Sequence, residues 1–160
     1  MALFEDETKK TDIQDIDLSV TNRKEFRING DNSKILRLNT SDLNVLKRMG
    51  NIYPKLQKLA DDALDEMFLD EDATTEEIFK KSGDALTKID TRMRELIDEL
   101  FDSNVSEVCA PEGSMFDPID GKFRFEHIVD VLGNLYEKNL REELDKTARN
   151  IAKHTDKYTK

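Results

Sequence analysis

The chain has 160 residues, 38% of them charged and 37% apolar, with eight Phe, three Tyr and no Trp. That length and balance suit one helical domain with large solvated faces better than a thick α/β enzyme. With 25 basic and 35 acidic residues the net charge is −10, which opposes nonspecific binding to nucleic acid or an anionic membrane and favours basic partners. A lone cysteine, Cys109, excludes an internal disulfide and fits a reducing cytoplasm. MALFEDETKK has no basic stretch leading into an apolar run, so a secretory signal is not expected. No run of 18 apolar residues offers a membrane span. A soluble intracellular protein is the expectation.

Residues 1–22 read as a loosely ordered acidic arm, in which Ile16, Leu18 and Val20 could at most form a weak strand. The stretch KEFRINGDNSKILRLNTSDLNVL follows. Phe26 and Ile28 alternate with Arg27, Asn29-Gly30 tolerates positive φ, and Ile35-Leu36-Arg37-Leu38 returns, which predicts a β-hairpin over 24–38. Thr40, Ser41 or Asp42 then caps a helix that carries Leu43, Leu46 and Met49 on one face. Helix extends over about 41–70, but Gly50 and Pro54 interrupt it, and Pro54 is expected to open a second piece. That piece holds Leu56, Leu59, Ala63, Leu64, Met67 and Phe68 at helical spacing.

Thr74 or Thr75 starts a longer helix over 75–102, with Glu77 completing a capping box. Ile78, Ala85, Leu86, Ile89, Met93, Leu96, Ile97 and Leu100 keep a 3.6-residue period, and the opposite face is charged, with Lys88, Asp90, Arg92, Arg94, Glu95 and Asp98. SNVSEVCAPEGSMFDPIDGK, residues 103–122, contains Pro111, Gly113, Pro118 and Gly121 and reads as the principal loop. A last helix is expected over 123–154, its apolar density thinning after Leu140, so that its end projects or is completed by another chain. The fold class is therefore mainly α, an elongated helical bundle with one small N-terminal antiparallel β-hairpin. The hairpin either caps one end of that bundle or offers an edge strand for self-association, and capping is the expectation.

Charge is unevenly distributed. Nine acids accumulate between Lys58 and Lys80 with no basic residue among them, from Asp61 to Glu77. From Lys138 onward seven Lys or Arg stand against four acids. Solvated helix faces account for both runs, and a dipolar molecule whose copies or partners meet head to tail accounts for them as well.

Chemistry is hard to find. FDPIDGKFRFEHI resembles the end of a calcium loop, but with Gly121 at the sixth position the first, third and twelfth are Phe116, Pro118 and His127. An EF-hand needs oxygen ligands there. A plain turn ahead of a helix is expected instead. His127 and His154 stand apart without metal-ligand spacing, Cys109 has no His nearby in sequence, and no Gly-rich phosphate loop occurs. No catalytic residue, metal or cofactor is expected, and the chain reads as a non-enzyme.

The order of these features, KEFRINGDNSKILRLNTSDLNVLKRM, then helical pieces, then a Gly/Pro/acidic loop into FRFEHIVDVLGNLYEKN, resembles the small tail assembly chaperones of long-tailed bacteriophages. The resemblance covers roughly residues 20–140. It implies a non-catalytic protein of the bacterial host cytoplasm that binds and solubilises the helical tape measure protein and leaves before the tail tube closes round it. On the amphipathic faces, the partner-contact residues nominated are Met67, Phe68, Leu86, Met93, Leu100, Phe101, Leu140 and Leu144, and a homo-oligomer is expected; neither nucleic acid nor membrane is an expected partner. Two alternatives remain open: an acidic inhibitor or nucleic-acid mimic that binds a basic protein, and a structural virion component.

Overall fold

A computed structural model describes residues 12–18, 23–67 and 72–159, with side chains as far as Thr155. The fold is mainly α with an antiparallel hairpin on its N-terminal side. Residues 12–18 form neither helix nor strand and are exposed; the rest of the expected arm, Val20 included, lies outside the described residues.

Strands β1 (Arg23–Ile28) and β2 (Asp31–Asn39) pair antiparallel, with Phe26 opposite Leu36 and Lys24 opposite Leu38. Asn29 and Gly30 take φ of 53° and 72°, the doubly left-handed turn whose twist matches its strands. The register slips between Arg27 and Ile28, and Asp31 fills the irregular step by accepting from the backbone N–H and Oγ of Ser33, at 2.9 and 2.7 Å. Alternation turns Leu36 and Leu38 into the core while Ile35 and Arg37 face outward. The hairpin caps the bundle, as expected: Ser103 Oγ donates to the Arg37 carbonyl at 2.7 Å, and Arg23 pairs with Asp102 at 2.7 Å.

Helix α1 (Asn44–Met67) opens at Asp42, whose Oδ1 accepts the Asn44 N–H at 2.9 Å. It runs on through Pro54, against the expected break. Proline removes one helical hydrogen bond and crowds the carbonyl four residues back, here that of Gly50. Both Gly50 and Pro54 face solvent, so water can serve the released carbonyl. The proline costs about 3 kcal/mol. Ile52 and Leu56, on either side of it and both buried, each contribute about 1.5–3 kcal/mol to a continuous apolar stripe. Burial wins.

Helix α2 (Thr75–Phe101) begins at Thr74, whose Oγ1 accepts from the Glu77 N–H at 3.3 Å, and ends at Asp102 in the left-handed region. It packs along α1, and Ser82 Oγ donates to the Glu66 carbonyl at 3.2 Å, near the end of α1. The 103–122 segment is more ordered than a loop. It contains a short helix, α3 (Val105–Cys109), and a second hairpin of β3 (Pro118–Ile119) and β4 (Lys122–Phe123) around Asp120-Gly121, both at positive φ. The tempting calcium-like motif is therefore a hairpin turn ahead of a helix.

What holds that segment is a row within the charged face of α2. Asp98 accepts from the N–H and Oγ of Ser106 at 2.7 and 2.9 Å. Arg94 donates to the carbonyls of Ala110 at 2.7 Å and Gly113 at 2.8 Å, and Asp90 pairs with Arg94 while accepting the Met115 N–H at 2.7 Å. Positions 90, 94 and 98 are four apart and share a face. They satisfy backbone groups that a non-repetitive segment could not otherwise pair.

Helix α4 (Arg124–Thr159) has 36 residues and an ideal length of about 54 Å. Phe125, Val129, Leu132, Tyr136 and Leu140 enter the core at intervals of three and four. Phe125 closes an aromatic group with Phe116 and Phe123, at centroid separations of 5.7 and 6.0 Å. The helix ends at Thr159, later than the expected 154, and its described residues from Leu144 to Thr155 are all exposed.

Candidate partner-binding surface

Three elements meet where α1 starts, α2 ends and α4 leaves the body. Arg48 joins the first two: its Nε donates to the Leu100 carbonyl at 2.8 Å and its Nη2 pairs with Asp42 at 3.0 Å. Tyr136 joins the third. Its ring lies 5.5 Å from that of Phe101 and its hydroxyl donates to the Phe101 carbonyl at 3.3 Å. Burial pushes the Tyr136 phenol up from 10.0 to about 12, so it stays a neutral donor.

Between these fastenings lies an apolar cleft of about 350 Å³. Phe101, Val45 and Tyr136 form its floor, and Leu43, Leu46, Met49, Leu140 and Leu144 its walls. Leu43, Leu46 and Leu144 are 57%, 64% and 50% exposed, and Ile151 continues the apolar line along α4 at 61%. An apolar trough between helices is the shape that receives an amphipathic helix.

A second groove, about 470 Å³, lies between the end of β1, α3 and α4, with Arg27, Ile28, Cys109, His127 and Val131 on its walls. Its chemistry is already committed. Arg124 is paired with Asp117 and donates to the Ser114 carbonyl, and His127 Nε2 is 2.6 Å from the Ile119 carbonyl. Burial first, then the nearby Asp98 charge, pushes the Cys109 thiol up, away from the thiolate a nucleophile needs. Among the described residues no group of three or more His, Cys, Asp and Glu is placed to hold a metal ion, and no helix is long and apolar enough to cross a membrane.

The nominated contact residues divide into three places. Phe101, Leu140 and Leu144 come together in the cleft. Met93 and Leu100 do not: both are fully buried among the chain's own side chains and offer nothing to a partner. Met67, 39% exposed at the end of α1, and half-buried Leu86 on α2 stand away from the cleft, and Phe68 lies outside the described residues. Sequence reasoning did not nominate Leu43, Leu46 and Met49 as contacts, although it put them on one helix face. A signal existed: the buried stripe of α1 is Val45, Ile52, Leu56, Ala60 and Ala63, and the helix carries more large apolar residues than that stripe uses.

Comparison with family models, with curated proteins and with solved structures finds no match.

Proposed function

We propose that this chain is a non-catalytic binding protein that receives an apolar helix of another protein in the cleft between α1, α2 and α4. One observation carries the reading: Leu43, Leu46 and Leu144 stand exposed around a buried Phe101 floor, in a chain otherwise densely charged. Scattered exposed leucines need no explanation, but a continuous set around a trough does. Each such side chain, once covered, contributes about 1.5–3 kcal/mol, enough for a reversible complex after the cost of association. With the resemblance in order and pattern described above, the partner is the tape measure protein, and the role is that of a tail assembly chaperone in the host cytoplasm. The charged exterior keeps such a complex soluble.

Co-expression with a tape measure protein tests this. The partner should remain soluble and co-elute with the chain, and Leu46→Glu with Leu144→Glu should abolish both effects. Equal solubility of the partner with and without the chain defeats the reading. The acidic run of Asp61, Asp65, Asp72, Glu76 and Glu77, all exposed, supports the rival role of an acidic mimic. Capture of a basic DNA-binding protein, unaffected by the Leu46/Leu144 change and weakened by salt, would put that role in place of the chaperone.

A further inference from the structure

Past Leu140, α4 leaves the body of the molecule, and every described residue from Leu144 to Thr155 is exposed. Yet the segment is not uniformly polar. Leu144, Ala148 and Ile151 continue the line of Tyr136 and Leu140 at spacings of three and four, which keeps them on one face. A helix end of this length is marginal alone in water, and most of its stability comes from covering such a face.

We propose that two copies of this chain associate through these segments as an antiparallel pair of helices. Charge selects both the partner and the direction. From Glu137 to Asp145 four acids stand against two bases, and from Lys146 to Lys157 four Lys or Arg stand against one acid. Antiparallel alignment sets the acidic half of one copy beside the basic half of the other, whereas parallel alignment sets like against like. The apolar face fixes the register. With Leu144 of one copy opposite Ile151 of the other, the small residues Thr147 and Ala148 fall at the two-fold axis, where helices approach closest. The symmetry is closed, so the association stops at two.

That register makes a specific pairing. Asp145 and Arg149 lie on the same flank of the stripe, four residues apart, and in the antiparallel arrangement each comes within one residue, about 1.5 Å of rise, of the level of the other on the second copy. Neither has an ion pair within its own chain among the described residues, while Arg141 and Lys146 are paired with Glu137 and Glu143. The pair occurs twice per dimer. This inference goes beyond the proposed function and does not require a tape measure partner.

Sedimentation equilibrium of the full chain tests it. The wild type should approach twice the chain mass of 18.5 kDa as concentration rises, and Leu144→Glu with Ile151→Glu should hold it at one mass. Asp145→Arg alone and Arg149→Asp alone should each weaken association about tenfold, since both copies then meet like charges. Combined in one chain, the two changes should restore association to near the wild-type value. These positions are exposed in the single chain, so the urea midpoint below the association concentration should stay unchanged and confirm intact folding. A wild type of single mass at every concentration overturns the dimer, and a double variant no tighter than the single ones overturns the antiparallel register.

Discussion

The first half of α4 and its second half share one backbone and meet opposite surroundings. Phe125, Val129, Leu132, Tyr136 and Leu140 are all 8% exposed or less, whereas everything described from Leu144 to Thr155 is open to solvent. The packed half nucleates the helix against the core, and the open half propagates from it at the lower cost of adding residues to an existing turn. Helical periodicity is present in both. What differs is the number of large apolar side chains per turn, and therefore how much of the structure each half can hold in place.

The sharpest way to break this comparison is to truncate one large side chain in each half. Phe125→Ala should cost about 3–5 kcal/mol, because it empties a fully enclosed site between Phe116 and Phe123. Ile151→Ala should change stability by less than about 0.5 kcal/mol, the range for surface positions. Urea unfolding of both variants at low concentration measures the contrast. Comparable losses would mean that the open half belongs to the cooperative core.

Arg94 tests whether the core depends on the polar row of α2. Arg94→Met keeps the apolar stem but leaves the carbonyls of Ala110 and Gly113 without their donor. The expected loss is about 1.5–3 kcal/mol, the scale of a hydrogen bond to a charged group. Unfolding measures that loss, and earlier proteolytic cleavage between Ala110 and Ser114 should accompany it. A loss within the surface range would mean that Arg94 does not hold the segment in place.

Much of this architecture was legible in the residues, and the failures have physical causes. Asn29-Gly30 announced its hairpin because alternating strands flank it. Asp120-Gly121 is the same kind of turn, but its strands are two residues each and one begins with Pro118, so no alternation surrounds it. Pro54 read as a break because local propensity is visible in sequence and the buried stripe that overrides it is tertiary. The same limit explains Met93 and Leu100. Periodicity identifies the apolar face of α2 but not whether α1 or a foreign helix covers it. The cleft was half visible, in Phe101, Leu140 and Leu144; Leu43 and Leu46 shared a predicted helix face, but became surface only once Val45 and Ile52 had taken the core-facing positions.

Tyr136 lies where the two halves of α4 meet. Tyr136→Phe removes the bond to the Phe101 carbonyl and should cost about 1 kcal/mol near neutral pH. The pH dependence adds a second check. Burial raises the folded-state value to about 12, above the ordinary 10.0, so the folded protein holds this proton more tightly than the unfolded chain. That stability is fully present below pH 10 and is lost as pH rises from there toward about 12. Urea midpoints should therefore show the gap between wild type and Tyr136→Phe narrowing through that window. A gap of constant size would mean that the phenol ionises equally in both states.

Ala148→Gly should have the smallest global effect and a readable local one. Glycine in a helix interior costs about 1 kcal/mol relative to alanine. In the packed half that cost would fall on the whole molecule. At residue 148 it falls on the equilibrium between helix and frayed end, because nothing else among the described residues packs on the segment. Amide exchange below the association concentration should show protection from Leu144 to Thr155 falling about fivefold, the equivalent of 1 kcal/mol, while the urea midpoint stays put. A midpoint that falls as far as that of Tyr136→Phe would show that the open half is held down within its own chain, and the distinction between the two halves of α4 would be lost.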